Sequence, residues 1–149
     1  MLRVRAEDPG TPDAVALTEE LSAALEGITG DSGKSSFDAD DVRGAGALFA
    51  VARDADGRAV GCGAIRPLSA GVAELKRMYA RPGNRGAGSA VLAFLEAQAA
   101  ALEYRALWLS TRAVNVRAVG FYRARGYISI PNYGKYADRT DSVCFAKPL

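Results

Sequence analysis

The spacing of apolar residues changes several times along the chain, and each change marks a new element. Leu2 to Ala6 alternates as a short strand does, and Thr11 followed by Pro12 has the form of a helix N-cap with proline at the first helical position. Leu17, Leu21, Ala24, Leu25 and Ile28 then recur at helical spacing, which predicts an amphipathic helix ending near Gly27 and Gly30. Residues 29–46 are rich in Gly, Ser and Asp with no sustained period, so they predict a surface loop, with one helical turn around Ser36 to Asp41, able to border a substrate site. Leu48 to Arg53 and Arg58 to Ile65 are apolar runs joined through Asp56-Gly57, the signal of an antiparallel hairpin.

Val72 to Ala80 predicts the next strand, and the polar, Gly-rich stretch Arg81 to Gly88 leads directly into a helix with Val91, Leu95, Ala99 and Leu102 on one face. Ala106 to Ser110 follows as a short buried strand. Asn115 to Arg125 reads as a helix stopped by Gly126, and Tyr127 to Ile130 and Ser142 to Ala146 read as the last strands. The order is that of a mixed α/β fold: a meander first, then strands with crossover helices that imply local parallel pairing. A chain of 149 residues suits one domain, 1–149, with one core.

Composition narrows the chemistry. Arg3, Arg5, Glu7 and Asp8 leave no room for the apolar stretch of a secretory signal, and the longest uncharged run, between Arg85 and Glu96, is far short of the roughly 20 residues that span a bilayer. A cytoplasmic protein with no membrane partner is expected. The net charge of +2 is spread without a basic stripe, which argues against a nucleic-acid partner. Cys62 and Cys144 lie far apart in apolar segments and read as buried thiols. The chain has no His, so the usual general base and the commonest transition-metal ligand are missing. Catalysis falls to Glu, Asp, Tyr, Lys or water, and no metal is expected.

The stretch Gly83-Asn84-Arg85-Gly86-Ala87-Gly88-Ser89-Ala90 puts small residues where a helix begins. Bare N–H groups at a helix start, with the positive end of the helix dipole, form a ready site for phosphate oxygens. There is no Gly-Lys-Ser/Thr ending for a Walker loop, and Val91 stands where a dinucleotide fingerprint needs a third small residue. Alone, the segment could also be a turn that only redirects the chain.

Four blocks together resemble the GNAT superfamily of acetyltransferases. Arg85, Gly88 and Ala90 match its Arg/Gln-x-x-Gly-x-Gly/Ala signature. Glu74-Leu75-Lys76-Arg77-Met78-Tyr79 precedes it, Asn115-x-x-Ala118-x-x-Phe121-Tyr122 follows, and Gly126-Tyr127 closes that helix. The resemblance covers residues 74–127. It implies a mixed, mostly antiparallel sheet, splayed open between the fourth and fifth strands, with acetyl-CoA as cosubstrate in the wedge. The backbone of Arg85, Gly86, Ala87, Gly88, Ser89 and Ala90 would hold the pyrophosphate, and Met78, Tyr79 and Ala80 would edge the pantetheine arm. Asn115, which capping alone explains, would also reach that arm.

Acetyl transfer to an amine needs a base, an oxyanion donor and a proton for the thiolate. Glu74 is the candidate base, and its rival reading is an ion-pair partner of Lys76 or Arg77. Strict alternation would put Glu74, Lys76 and Met78 on one face, and a bulge would change that. The oxyanion donor would be a backbone N–H near Met78 or Tyr79. Tyr122 is the candidate acid by resemblance, against a plain reading as a core aromatic. For the acceptor, a small-molecule or peptide amine, Asp38, Asp40 and Asp41 could attract a cation, Tyr133 and Tyr136 could form an aromatic wall, and Arg66 and Arg77 could bind a carboxylate. An apolar edge at Val143 to Phe145 would allow a homodimer. The alternative from another class is a non-catalytic acyl-CoA-binding regulatory module.

Overall fold

A computed structural model describes residues 1–149. Strand β1 (Arg3–Ala6) leads to helix α1 (Pro12–Thr29), and two short 3-10 turns, Lys34–Ser36 and Ala39–Val42, carry the chain to β2 (Leu48–Arg53). Strands β3 (Ala59–Ser69) and β4 (Val72–Ala80), helix α2 (Ala87–Ala101), β5 (Ala106–Arg112), helix α3 (Val116–Ala124), β6 (Ile128–Ile130) and β7 (Ser142–Pro148) complete it. All seven strands form one sheet in the order β1-β2-β3-β4-β5-β7-β6, antiparallel throughout except for β4 and β5. The resemblance to the GNAT fold is thus matched by a mixed, mostly antiparallel sheet.

The helices cover opposite faces. Ala87, Val91, Leu92, Leu95 and Ala99 bury one stripe of α2 against Ala50, Ala52, Val60, Ile65, Ala73 and Leu75, and Tyr122 of α3 joins the same core. Ala14 and Leu17 of α1 pack on the other face against Phe49, Val51, Cys62 and Ala64. Thr11 caps α1 through Ala14 N–H at 3.3 Å, and Gly30 ends the helix in the left-handed conformation, so Gly27 lies inside it.

Three expectations need correction. Strand β3 runs past Ile65 to Ser69: the pairing with β2 stops at Ile65, so Pro67, which has no N–H to offer there, still pairs with Ala73 of β4. Leu102 is not on the buried face of α2 but caps the helix, 45% exposed. Val143 to Phe145 do not form an edge, because β7 lies between β5 and β6 and buries Cys144 and Phe145 completely.

Candidate active site

The cleft arises from a pairing that stops short. Strands β4 and β5 are in register only at Val72 with Ala106, Ala73 with Leu107 and Glu74 with Trp108. Beyond these residues they diverge, and a cleft of about 920 Å³ opens between them, lined by Leu75 to Gly86 on one side and Leu109 to Arg112 on the other. On its other edge β4 stays bonded to β3, with Arg81 N–H donating to Val60 carbonyl at 2.8 Å. Antiparallel alternation from that bond turns the N–H and C=O of Ala80 and Met78 toward the cleft, where no strand meets them.

The middle of β4 is bulged. Cys62 faces Tyr79 and Ala64 faces Lys76, so Gly63 alone stands opposite Arg77 and Met78, and Arg77 has a φ of 54°. The extra residue reverses the alternation. Met78 packs with the α2 core, while Lys76, Arg77 and Tyr79 lie on the α1 side, so Glu74, Lys76 and Met78 do not share a face. Gly63 permits the bulge: a Cβ there would lie 2.5 Å from Met78 Sδ, 2.8 Å from Val91 and 2.9 Å from Leu95. Arg77 ties the bulge to α1 through Thr18 carbonyl at 2.7 Å and the Ser22 hydroxyl, while its buried Nε has no partner.

At the other end of the cleft, α2 begins without a side-chain cap. Gly86 takes the N-cap position with φ 85°, Ala87 N–H donates to Asn84 carbonyl at 3.2 Å, and Ala90 N–H donates to Gly86 carbonyl at 2.9 Å. The N–H groups of Arg85, Gly86, Gly88 and Ser89 have no acceptor, and all four residues line the cleft. Ala87 is fully buried against the sheet, and neither it nor Ala90 lines the cleft. Four unpaired donors at a helix N-terminus fit a pyrophosphate.

One face of α3 closes this end. Asn115, Arg117, Ala118, Phe121, Tyr122 and Arg125 all line the cleft. Asn115 caps α3 by accepting from Ala118 N–H at 3.3 Å, which leaves its amide NH2 free. Arg125 stacks on Phe121, its guanidinium carbon 3.7 Å from the ring centroid, and donates to the Ser89 hydroxyl. Arg85, Arg117 and Arg125 have no carboxylate partner. Arg117 and Arg125 escaped the sequence reading, although Arg117, Phe121 and Arg125 form an i, i+4, i+8 stripe that extends the recognised block.

The candidate chemical groups are divided. Tyr122 is 7% exposed and lines the cleft, and burial alone pushes its phenol well above the ordinary tyrosine range, with no hydrogen bond from the chain contributing. Glu74 is 3% exposed and does not line the cleft. One of its oxygens accepts from Arg66 at 2.9 and 3.0 Å, and the other accepts from the Tyr133 hydroxyl at 2.7 Å. The ion pair is therefore with Arg66 rather than with Lys76 or Arg77.

Lys76 reaches the cleft from the same strand, its ammonium 3.2 Å from the Tyr136 hydroxyl and without a carboxylate partner. Burial lowers its pKa, and the charge of Glu74 opposes that shift. Tyr136 lines the cleft and Tyr133 does not, being packed on Trp108 with ring centroids 5.3 Å apart. Asp38, Asp40 and Asp41 are engaged elsewhere: Asp38 and Asp41 form a capping box, Asp40 pairs with Arg43, and Asp41 pairs with Arg66. The second half of α1 also turns out to be cleft wall, with Leu21, Leu25 and Ile28 lining it.

The sequence profile described as the acetyltransferase (GNAT) family matches residues 14–127. An uncharacterized N-acetyltransferase of Schizosaccharomyces pombe is 35% identical over 89 residues, 58% of this chain; the match spans about half, 55%, of that protein's length. Among solved structures, a candidate acyl-CoA N-acyltransferase from Klebsiella pneumoniae superposes with a TM-score of 0.83 at 28% identity, covering 100% of this chain and 98% of that one. A phosphinothricin acetyltransferase of Sinorhizobium meliloti, solved in complex with acetyl-CoA, shares the fold with a TM-score of 0.74 at 19% identity, covering 99% of this chain and 88% of that one.

Proposed function

The chain belongs to the GNAT family of acetyltransferases; from that premise we propose that it uses an acyl-CoA cosubstrate and transfers acetyl from acetyl-CoA to a primary amine by direct attack in a ternary complex. The observation that carries this reading is the junction of two features in one cleft: four bare N–H groups at the start of α2, and the unpartnered Tyr122 hydroxyl facing the same space. Residues 1–149 would act as one domain, built on one continuous sheet.

In this reading, Arg85, Gly86, Gly88 and Ser89 donate their N–H groups to the pyrophosphate, and Arg117 and Arg125 add positive charge. The free backbone edge at Met78 and Ala80 hydrogen-bonds the extended pantetheine arm as an added strand would, and the Asn115 amide reaches it from α3. Bound acetyl-CoA supplies an activated thioester. Met78 N–H, beside the bulge, donates to the carbonyl oxygen as it gains charge. Tyr122 is a weaker acid than a thiol, so its part is a hydrogen bond that stabilises the sulfur as the C–S bond breaks, and the proton lost by the amine completes the thiol.

The base has a different solution from the one the sequence suggested. Both Glu74 oxygens are occupied and neither borders the cleft, so the proton of the incoming ammonium passes to cleft water, and Glu74 acts by holding Arg66 and Tyr133. The test is thiol release from acetyl-CoA with a panel of amino acids, their carboxamides and polyamines. Amine-dependent release of free CoA is the expected result. Release at the rate of the amine-free control for every amine would overturn the assignment.

A further inference from the structure

The acceptor side of the cleft has an excess of positive charge that the transfer chemistry does not use. Away from the phosphate end it is lined by Lys76, Arg77, Arg112, Lys135 and Arg139, with Asp31 as the single carboxylate. Two of these cations are already neutralised: Arg112 pairs with Asp31 and Asp141, and Arg139 pairs with Asp141. Arg77 is spent on backbone and hydroxyl oxygens of α1 and the following loop.

Lys76 and Lys135 remain. Their ammonium groups lie 5.8 Å and 5.6 Å from the centroid of the same Tyr136 ring, and neither has a carboxylate within ion-pair distance. Their partners are neutral hydroxyls, Tyr136 for Lys76 and Ser36 for Lys135. Glu74, the nearest acid on Lys76's own strand, is bonded to Arg66 and Tyr133 instead. Two ammonium groups around one aromatic ring, Lys76 half-buried and Lys135 exposed, form a receptor for an anion and repel a cation. Both are hydrogen-bond donors only, so a carboxylate satisfies them where a second amine cannot.

We propose that the acceptor is a small amine that also carries a carboxylate, as an amino acid does, and that Lys76 and Lys135 bind that carboxylate on either side of Tyr136. Lys76 lies on β4 just before the bulge and Met78 just after it, and both line the same cleft, so a carboxylate held at Lys76 belongs to the molecule whose amine meets the thioester. Polyamines, with two or more positive charges, are excluded by the same arrangement. This assignment rests on the acyl-transfer reading and refines it.

The test measures binding of product-like molecules, which needs no turnover. Protein saturated with CoA is titrated by calorimetry with N-acetyl-L-amino acids, with the same compounds as carboxamides, and with an N-acetylated polyamine. The acids bind about ten- to a hundredfold more tightly than their carboxamides, the range expected for a hydrogen-bonded charge. In the double variant Lys76→Met, Lys135→Met that preference disappears, while CoA affinity and the melting temperature of the CoA complex are retained. Equal binding of acid and carboxamide, no binding of any acid, or a preference that survives the double substitution would each overturn the proposal. The two readings fail separately: thiol release with carboxamides or polyamines as fast as with amino acids leaves acyl transfer standing and removes the carboxylate site, whereas no amine-dependent release with any amine removes the transfer reading.

Discussion

Two buried residues, Tyr122 and Glu74, look equally suited to chemistry in the sequence and differ in what surrounds them. The Tyr122 hydroxyl has no partner in the chain and borders the cleft, so removing it leaves no group unpaired. Tyr122→Phe is expected to keep the melting temperature and the KM for acetyl-CoA while lowering kcat by about a hundredfold, the lower range for a hydrogen bond aimed at developing charge. Glu74 has the opposite profile. Its carboxylate holds Arg66, whose side chain is only 23% exposed, and accepts from Tyr133. Glu74→Gln therefore costs stability, about 2 kcal/mol for a lost charge-assisted hydrogen bond, since Arg66 keeps Asp41, or roughly 4–8 °C in melting temperature at this chain length. The pH–rate profile of the surviving activity keeps its wild-type shape. Loss of the acidic limb of that profile at unchanged stability would instead make Glu74 the base.

Among the elements, what the sequence reveals and what it hides follow from how each is encoded. Helices α1, α2 and α3 and the hairpin through Asp56-Gly57 were legible because burial on one face leaves a period of 3.6 or 2, and the N-terminus of α2 was legible because only small residues leave donors bare. The bulge in β4 leaves no such period, since one residue, Arg77 at φ 54°, reverses the faces of everything after it. The interior place of β7 was hidden for another reason: strand order is set by long-range pairing, and a strand buried on both sides has the same local pattern as an apolar edge. The trace of the bulge lies across the ladder in Gly63. Gly63→Ala places a methyl group into Met78, Val91 and Leu95, an overpacking worth about 1–3 kcal/mol. The expected outcome is a melting temperature lower by several degrees and a raised KM for acetyl-CoA, because Met78 belongs to the edge proposed to border the arm. A wild-type melting curve and KM would show that the bulge does not depend on this glycine.

For the molecule as a whole, a net charge of +2 conceals a strong local field. Nine cationic side chains and one carboxylate line the cleft; Arg81, Arg112 and Arg139 are paired with acids beside it, and Lys76, Arg77, Arg85, Arg117, Arg125 and Lys135 have no carboxylate partner. Composition could not show this, because it sums over residues that the fold separates. A field focused in a cleft attracts anionic groups, and both proposed ligands carry them: the CoA phosphates, and the carboxylate of a zwitterionic amine. Added salt should therefore weaken both, while relieving the repulsion felt by a cationic amine that lacks the carboxylate. The Debye length falls from about 10 Å at 0.1 M to about 3 Å at 1 M salt, so at the higher limit a cation acts only on groups it touches. Between these limits the Kd for CoA is expected to rise by about tenfold, equivalent to about 1.4 kcal/mol, and the KM for an amino acid acceptor to rise with it, whereas the KM for its cationic carboxamide does not rise. If the Kd for CoA proves insensitive to salt, the bare N–H groups of α2 and the packed edge of β4 hold the cosubstrate without help from the surrounding arginines.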